Sequence, residues 1–269
     1  MKSQLCFLIV VFFSAQSFGQ QADQDTLSIK KLEDVVVRGY EQNRRLNETA
    51  GAVGLVNQRQ LDRYGTVSVL PAINAVPGVR MEERSPGSYR LNIRGSSLRS
   101  PFGVRNVKVY LNGIPFSDPG GNTYLNQLSF YNFSSVEILK GPGSSLYGAG
   151  MGGVMLINTI PNTTNSNLSV NYSAGSYNAT NINIAAKGGN ETFQNAVSYT
   201  HQNSDGYREQ SAMRRDIITW DTKITASKRQ ELSTHVLFGD LFYETPGGLT
   251  NAQFLNNPKA ARPGSRRTN

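Results

Sequence analysis

Two cations stand in matched settings in this sequence. Arg94 closes Asn92-Ile93-Arg94 and Lys140 closes Val136-Glu137-Ile138-Leu139-Lys140, so each follows an apolar, strand-like run and precedes a glycine. A cation placed this way and buried needs an anionic or strongly hydrogen-bonding partner, because an unpaired charge out of water is costly. Arginine can take a carboxylate through two parallel bonds, whereas lysine offers a point charge without that geometry. The alternative is a pair of exposed surface cations. The histidines, His201 and His235, are single, fall at the ends of strand-like runs and lack a second ligand at metal-binding spacing. No Ser/His/Asp set and no supported carboxylate pair is placed for acid–base chemistry. The stretches Gly141-Pro142-Gly143 and Gly148 to Gly153 lack the strand, loop and long helix that frame a phosphate-binding turn. The chain reads as a non-enzyme, with no cofactor and no metal expected.

Composition bounds the elements that must position these residues. The chain has 269 residues, 38% of them hydrophobic and 17% charged, with 26 Gly and a formal net charge of +8. The length corresponds to one or two domains with a real core. The low charge excludes a coiled coil or a charge-driven disordered chain. No run reaches the roughly 18 apolar residues of a spanning helix. Lys2 precedes the apolar run Leu5 to Phe13, and Ser14-Ala15-Gln16-Ser17-Phe18-Gly19 follows it. A charged start, a short apolar run and small residues at the end predict a secretory signal peptide over 1–19, cut after Gly19. The one cysteine, Cys6, falls inside it, so structural disulfides are excluded from the exported chain. The basic residues are scattered singly rather than gathered in a stripe, and an exported protein meets no cellular nucleic acid, so that partner is set aside.

Two textures follow one another. Residues 20–28 are polar and without period, and Leu32 to Val37 is a short β-prone run stopped by Gly39. Asn57 is an N-cap for a helix over Gln58 to Tyr64, and Thr66 caps a second segment carrying Val69, Leu70 and Ile73, which Pro77-Gly78 stops. Short strands are expected at Tyr89 to Arg94, Val107 to Leu111, Ser135 to Leu139 and Val154 to Thr159. Residues 41–161 therefore read as a small domain of mixed helix and strand with Gly-rich loops. After Pro161 the helical period vanishes. Leu168, Val170 and Tyr172 alternate with polar residues, as do Ile182 and Ile184, Val197 and Tyr199, and Ile218 and Trp220; the inward face of Leu232 to Tyr243 is ambiguous. Alternation with aromatic ends fits strands of an outer-membrane β-barrel. An exported β-sandwich is the other architecture compatible with that period.

Several strings, in order from Val76 to Thr159, carry a family resemblance: Val76-Pro77-Gly78-Val79, Asn92-Ile93-Arg94-Gly95, Val109-Tyr110-Leu111-Asn112-Gly113-Ile114-Pro115, Val136-Glu137-Ile138-Leu139-Lys140-Gly141-Pro142-Gly143-Ser144-Ser145-Leu146-Tyr147-Gly148, Gly152-Gly153-Val154 and Ile157-Asn158-Thr159. Together they resemble the plug domain of TonB-dependent outer-membrane receptors, nearest to ferric-citrate and other ferric-siderophore receptors. Ser204-Asp205-Gly206-Tyr207-Arg208 and Thr245-Pro246-Gly247-Gly248-Leu249-Thr250 extend the likeness into the start of the barrel. The resemblance implies an α+β plug domain (a small mixed sheet with short helices) over 41–161, then the first antiparallel strands of a transmembrane β-barrel over 162–269. It places a periplasmic segment with the TonB box at 20–40.

By the same resemblance Arg94 and Lys140 dock the plug against glutamates of the barrel wall, with Lys140 standing where the family more commonly has arginine. The TonB box pairs as an added strand with TonB, which ExbB and ExbD energise. Two segments compete for it: Glu33, Asp34, Val35, Val36 and Val37, which is favoured, and Asp25 to Ile29. Three outward loops fall near Glu83 to Ser88, Ser97 to Arg105 and Phe116 to Leu125. They offer Arg84, Arg99, Arg105, Asn122 and Tyr124 to a ligand, and arginines with aromatics suit an anionic ferric chelate.

The expected location is the outer membrane of a Gram-negative cell, in contact with its lipid, with the N-terminal segment in the periplasm. Plugged barrels have about 22 strands. The region after Pro161 has room for about five of roughly 9–11 residues each, so the chain is expected to be an N-terminal fragment. The implied function is import of a ferric siderophore or ferric citrate, with the plug gating the barrel. Cobalamin, copper or an oligosaccharide as cargo, and a soluble exported β-rich binding module, remain as alternatives.

Overall fold

The computed structural model describes residues 36–41, 44–65, 67–96, 103–148, 150–159, 166–227 and 229–265. The expected signal peptide, both Asp25 to Ile29 and Glu33, Asp34 and Val35, and also Thr66 and Arg99, lie outside them.

The first half is built on one five-stranded sheet. Strand β1 (Val36–Val37) pairs antiparallel with β2 (Arg44–Arg45), and β3 (Val53–Asn57) leads into helix α1 (Gln58–Tyr64). Asn57 caps α1 as expected: its Oδ1 accepts the Gln60 N–H at 3.0 Å while the Gln60 side chain accepts the Asn57 N–H at 3.0 Å. This reciprocal arrangement satisfies two amides that the helix itself cannot. Helix α2 (Leu70–Asn74) is shorter than expected. Its N-cap is Val69, which supplies no side-chain bond, while the Ser68 hydroxyl accepts the Leu70 N–H at 3.3 Å. The helix also ends before Pro77-Gly78, so that pair serves instead to turn the chain, with Gly78 at φ +75°, into β4 (Val79–Ser85). Strand β4 forms a hairpin with β5 (Ser88–Ile93).

Then follow β6 (Val107–Leu111), β7 (Ile114–Pro115), β8 (Ser135–Lys140), α3 (Ser144–Tyr147) and β9 (Gly153–Asn158). The sheet order is β3–β8–β9–β6–β7, antiparallel except for the β6/β9 pair. Strand β8 is central and covered on both faces, which is why Val136 to Leu139 is continuously buried rather than alternating. Ile73, Met81, Ile93, Val109, Ile138 and Ile157 close the core around it. Each such side chain contributes about 1.5–3 kcal/mol relative to exposure. Gly153 opens β9 at φ +139°, where a Cβ would run into the Leu139 carbonyl. Only glycine tolerates both constraints.

The second half is an antiparallel meander of β10 (Asn167–Gly175), β11 (Ala179–Gly189), β12 (Phe193–Ser204), β13 (Met213–Ser227) and β14 (Gln230–Tyr243), followed by helix α4 (Asn251–Asn256). Its polarity is inverted relative to a soluble sandwich. Leu168, Val170, Tyr172, Trp220 and Phe238 stand 52–71% exposed on one face. The other face, carrying Asn183, Ser198, Thr200, Gln202, Arg215, Thr219 and Asp221, is buried. Register puts the apolar residues in lateral rows, such as Val170–Ile184–Tyr199–Ile218–Phe238. The ambiguity of the last strand is resolved by the same register. Leu232, Val236, Phe238 and Phe242 point outward, and Leu237 packs against the core of the first half.

Candidate functional site

The β4–β5 hairpin and the β12–β13 connection enclose a cleft of about 380 Å³, lined by Glu83, Arg84, Ser85 and Pro86 on one side and by Ser204, Gly206, Tyr207, Arg208, Ser211, Met213 and Pro246 on the other. Arg84 thus lies where a ligand could reach it. Arg208 is committed to structure: its Nε and Nη2 donate to the Ala260 carbonyl at 3.1 and 2.8 Å, and its Nη1 to the Gly247 carbonyl at 2.9 Å. These bonds hold the segment after β14 over the cleft. Arg105 and Asn122 come together elsewhere, outside the lining of the cleft, with Arg105 Nε donating to Asn122 Oδ1 at 2.8 Å. Asp118 accepts the Asn122 N–H at 2.8 Å, and this amide bond, with the Arg105 charge among the lesser contributors, holds the carboxyl below its usual range. Tyr124 is 51% exposed and does not line the cleft.

The buried face of the β10–β14 sheet grips the first half of the chain through polar groups. Asn112 Nδ2 donates to Asp221 Oδ1 at 3.2 Å and Thr159 Oγ1 to Asp221 Oδ2 at 2.9 Å, and His235 Nδ1 pairs with the same carboxylate. Ser129 and Thr200 share a hydroxyl bond of 2.7 Å, and Asn132 Nδ2 donates to Ser198 at 2.6 Å and to Thr219 at 3.1 Å. Arg215 also reaches into the first half. Its Nε pairs with Gln202, its Nη1 donates to the Asn126 carbonyl at 3.3 Å, and its guanidinium lies 5.3 Å from the centre of the Phe130 ring. Sequence reasoning foresaw none of these partnerships. The available signal was polar residues alternating with apolar ones, which marks a face and not a partner.

Arg94 and Lys140, matched in sequence, are neighbours in space: Arg94 Nη1 donates to the Lys140 carbonyl at 3.2 Å. Arg94 takes φ +49°, and Gly95 follows at φ +81°, which turns the chain out of β5. Burial, with the Arg94 charge beside it, holds the Lys140 ammonium below its ordinary value. Among the described residues no ion pair joins either cation to a carboxylate.

At the start of the described chain Val36 is exposed and Val37 fully buried. Directly after them, the Arg38 and Gly39 amides converge on the buried carboxylate of Glu137 in β8. The Tyr40 amide donates to Tyr147 Oη at 2.8 Å.

This arrangement has known counterparts. Residues 45–154 match the family model of the TonB-dependent receptor plug domain. The chain is 29% identical over 159 residues to lactoferrin-binding protein A of Neisseria meningitidis serogroup B, covering 55% of this chain and 16% of that protein. It is 30% identical over 110 residues to the ferrioxamine receptor of Yersinia enterocolitica, covering 40% of this chain and 15% of the receptor. Among solved structures, the unliganded ferric citrate transporter superposes with a TM-score of 0.69 at 20% identity, over 85% of this chain and 37% of the transporter. Residues 45–154 therefore match a TonB-dependent receptor plug domain, and together with the five strands after them they share the fold of the ferric citrate transporter over the superposed part of the chain. The soluble sandwich is set aside by this match as well as by the inverted polarity of the sheet.

Proposed function

We propose that this chain supplies the plug and the first wall strands of an outer-membrane transporter that imports an anionic ferric chelate by a TonB-driven opening of the plug. One observation carries the membrane reading: the sheet turns its aliphatic and aromatic side chains outward and packs its hydroxyls, amides and charges on the plug. Water penalises that arrangement and a bilayer favours it. The buried polar contacts are individually modest, about 0.5–1.5 kcal/mol each, so the plug is held firmly in sum and remains releasable. Arg84 in the cleft favours an anionic cargo, and Arg99, Arg105, Asn122 and Tyr124 are its further proposed contacts, Arg105, Asn122 and Tyr124 standing outside the lining of the cleft. Arg94 and Lys140 complete the docking through wall carboxylates. TonB, energised by ExbB and ExbD, takes Glu33 to Val37 as an added strand.

The test is fractionation of the full gene product, followed by equilibrium binding to ferric citrate, ferric siderophores, cobalamin, copper and oligosaccharides. Outer-membrane recovery with binding of an anionic ferric chelate is expected. Recovery wholly in soluble periplasm sinks the transporter reading. Tight binding of a neutral cargo, indifferent to loss of Arg84, sinks the chelate assignment alone.

A further inference from the structure

We infer that Glu137 is the anchor through which a pull on the N-terminal segment enters the central sheet of the plug. The inference rests on the transport reading above, in which that segment is the part that is pulled. The carboxylate is 3% exposed and sits on β8, which has β3 on one side and β9 on the other. Its Oε1 accepts the Arg38 N–H at 3.1 Å, and its Oε2 accepts the Arg38 N–H at 2.9 Å and the Gly39 N–H at 2.9 Å. Among the described residues these amides are its hydrogen-bond donors. A carboxylate that binds backbone amides holds the main chain itself, whatever side chains the segment carries.

The local sequence is shaped for this contact. A Cβ at Gly39 would come within 2.9 Å of Leu139 Cδ2, so glycine lets the chain lie against β8. The pairing of β1 with β2 is only two residues long and ties the segment to another short strand. The firm connection to the sheet is therefore the carboxylate, seconded by Tyr147 Oη on the Tyr40 amide. A tether fixed to an edge strand would peel that strand away. One fixed to β8 loads a strand hydrogen-bonded on both sides, and β8 ends in Lys140, the cation beside Arg94. A pull would thus reach the sheet and the proposed docking pair together.

The experiment compares the full-length wild-type receptor with Glu137→Gln and Glu137→Leu in membrane nanodiscs. Glutamine keeps the size and removes a buried charge, so the plug is expected to stay folded. Hydrogen exchange at the Arg38 and Gly39 amides should accelerate about tenfold or more in both variants, as loss of charge-assisted bonds implies. The force at which a handle on the N-terminus first releases the segment should fall. Binding of the purified TonB C-terminal domain should stay within about twofold, while iron-limited growth on ferric citrate and on ferrioxamine falls at least about tenfold. Unchanged exchange and rupture force would overturn the anchor. Loosened amides with growth unchanged would overturn its part in transport. A wild-type receptor that binds no TonB domain and grows on neither chelate counts against the transport reading, while exchange and force still decide the anchor.

Discussion

Arg84 and Glu137 show how differently two charged residues of one small domain are used. Arg84 lines a cleft open to solution, where a ligand could reach its guanidinium. One charge-assisted hydrogen bond to a chelate is worth about 1.5–3 kcal/mol. Arg84→Ala should weaken binding of an anionic ferric chelate by about one to two decades and leave assembly intact, as equilibrium titration will read. Glu137 is spent inside. Burial lifts its carboxyl above the ordinary value of 4.5, and the Arg38 and Gly39 amides and the Arg38 charge only partly offset this. A folded value above the unfolded one means that the folded plug holds the proton more tightly. The stabilising effect is complete below the ordinary value and is lost as pH rises through the folded value. Denaturant resistance of the wild-type plug, relative to Glu137→Gln, should therefore increase as pH falls from 7 toward 4.5. A difference independent of pH in urea titrations of the receptor would contradict this.

Elements add constraints that no single residue carries. Strand β1 presents an exposed Val36 beside a buried Val37 and already pairs with β2, so an incoming strand must displace β2 or use the free edge. Proline at Val36 removes a backbone donor and fixes φ. Val36→Pro should abolish uptake while surface binding of ligand survives. Loss from Leu27→Pro alone would move the box to Asp25 to Ile29. Strand β9 shows the opposite case, an element limited by space. Gly153→Ala drives a methyl into the Leu139 carbonyl at a φ that side chains rarely adopt. The variant should lose more than about 2 kcal/mol, visible as protease sensitivity of the plug within an otherwise assembled receptor.

At the scale of the molecule the decisive feature is the two-faced sheet around the plug. Its outer rows match a hydrocarbon layer, and its inner rows match the polar flank of the plug. Phe238 ends one of these outer rows on β14, next to Ile218. Phe238→Arg should cost about 2–4 kcal/mol if that row meets the centre of the bilayer, read as reduced assembly of the heat-modifiable form in the outer membrane. Unaltered assembly would place the row outside the hydrocarbon. The cleft and the polar interface depend on this one wrapping, since each joins the plug to the later strands, whereas the Glu137 contact is made within the plug.

Much of the architecture was legible without coordinates, because period and capping are local. Asn57 announced α1, alternation after Pro161 announced β10 to β14, and the strings around Arg94 and Lys140 announced the plug. Strand β3 and the β4 half of the hairpin were not expected, since Val53-Gly54-Leu55 and Arg80-Met81-Glu82 carry little period of their own and owe their form to the strands they pair with. The partners lay further out of reach. That Arg94 meets Lys140, that Asp221 takes Asn112 and Thr159, and that Glu137 holds the Arg38 and Gly39 amides follows from contacts across 46 to 109 positions of chain. A sequence by itself states which residues want a partner, because burial and charge are properties of residue type and pattern. Which partner each one receives is decided only when the plug sheet and the strands packed on it bring distant chain together.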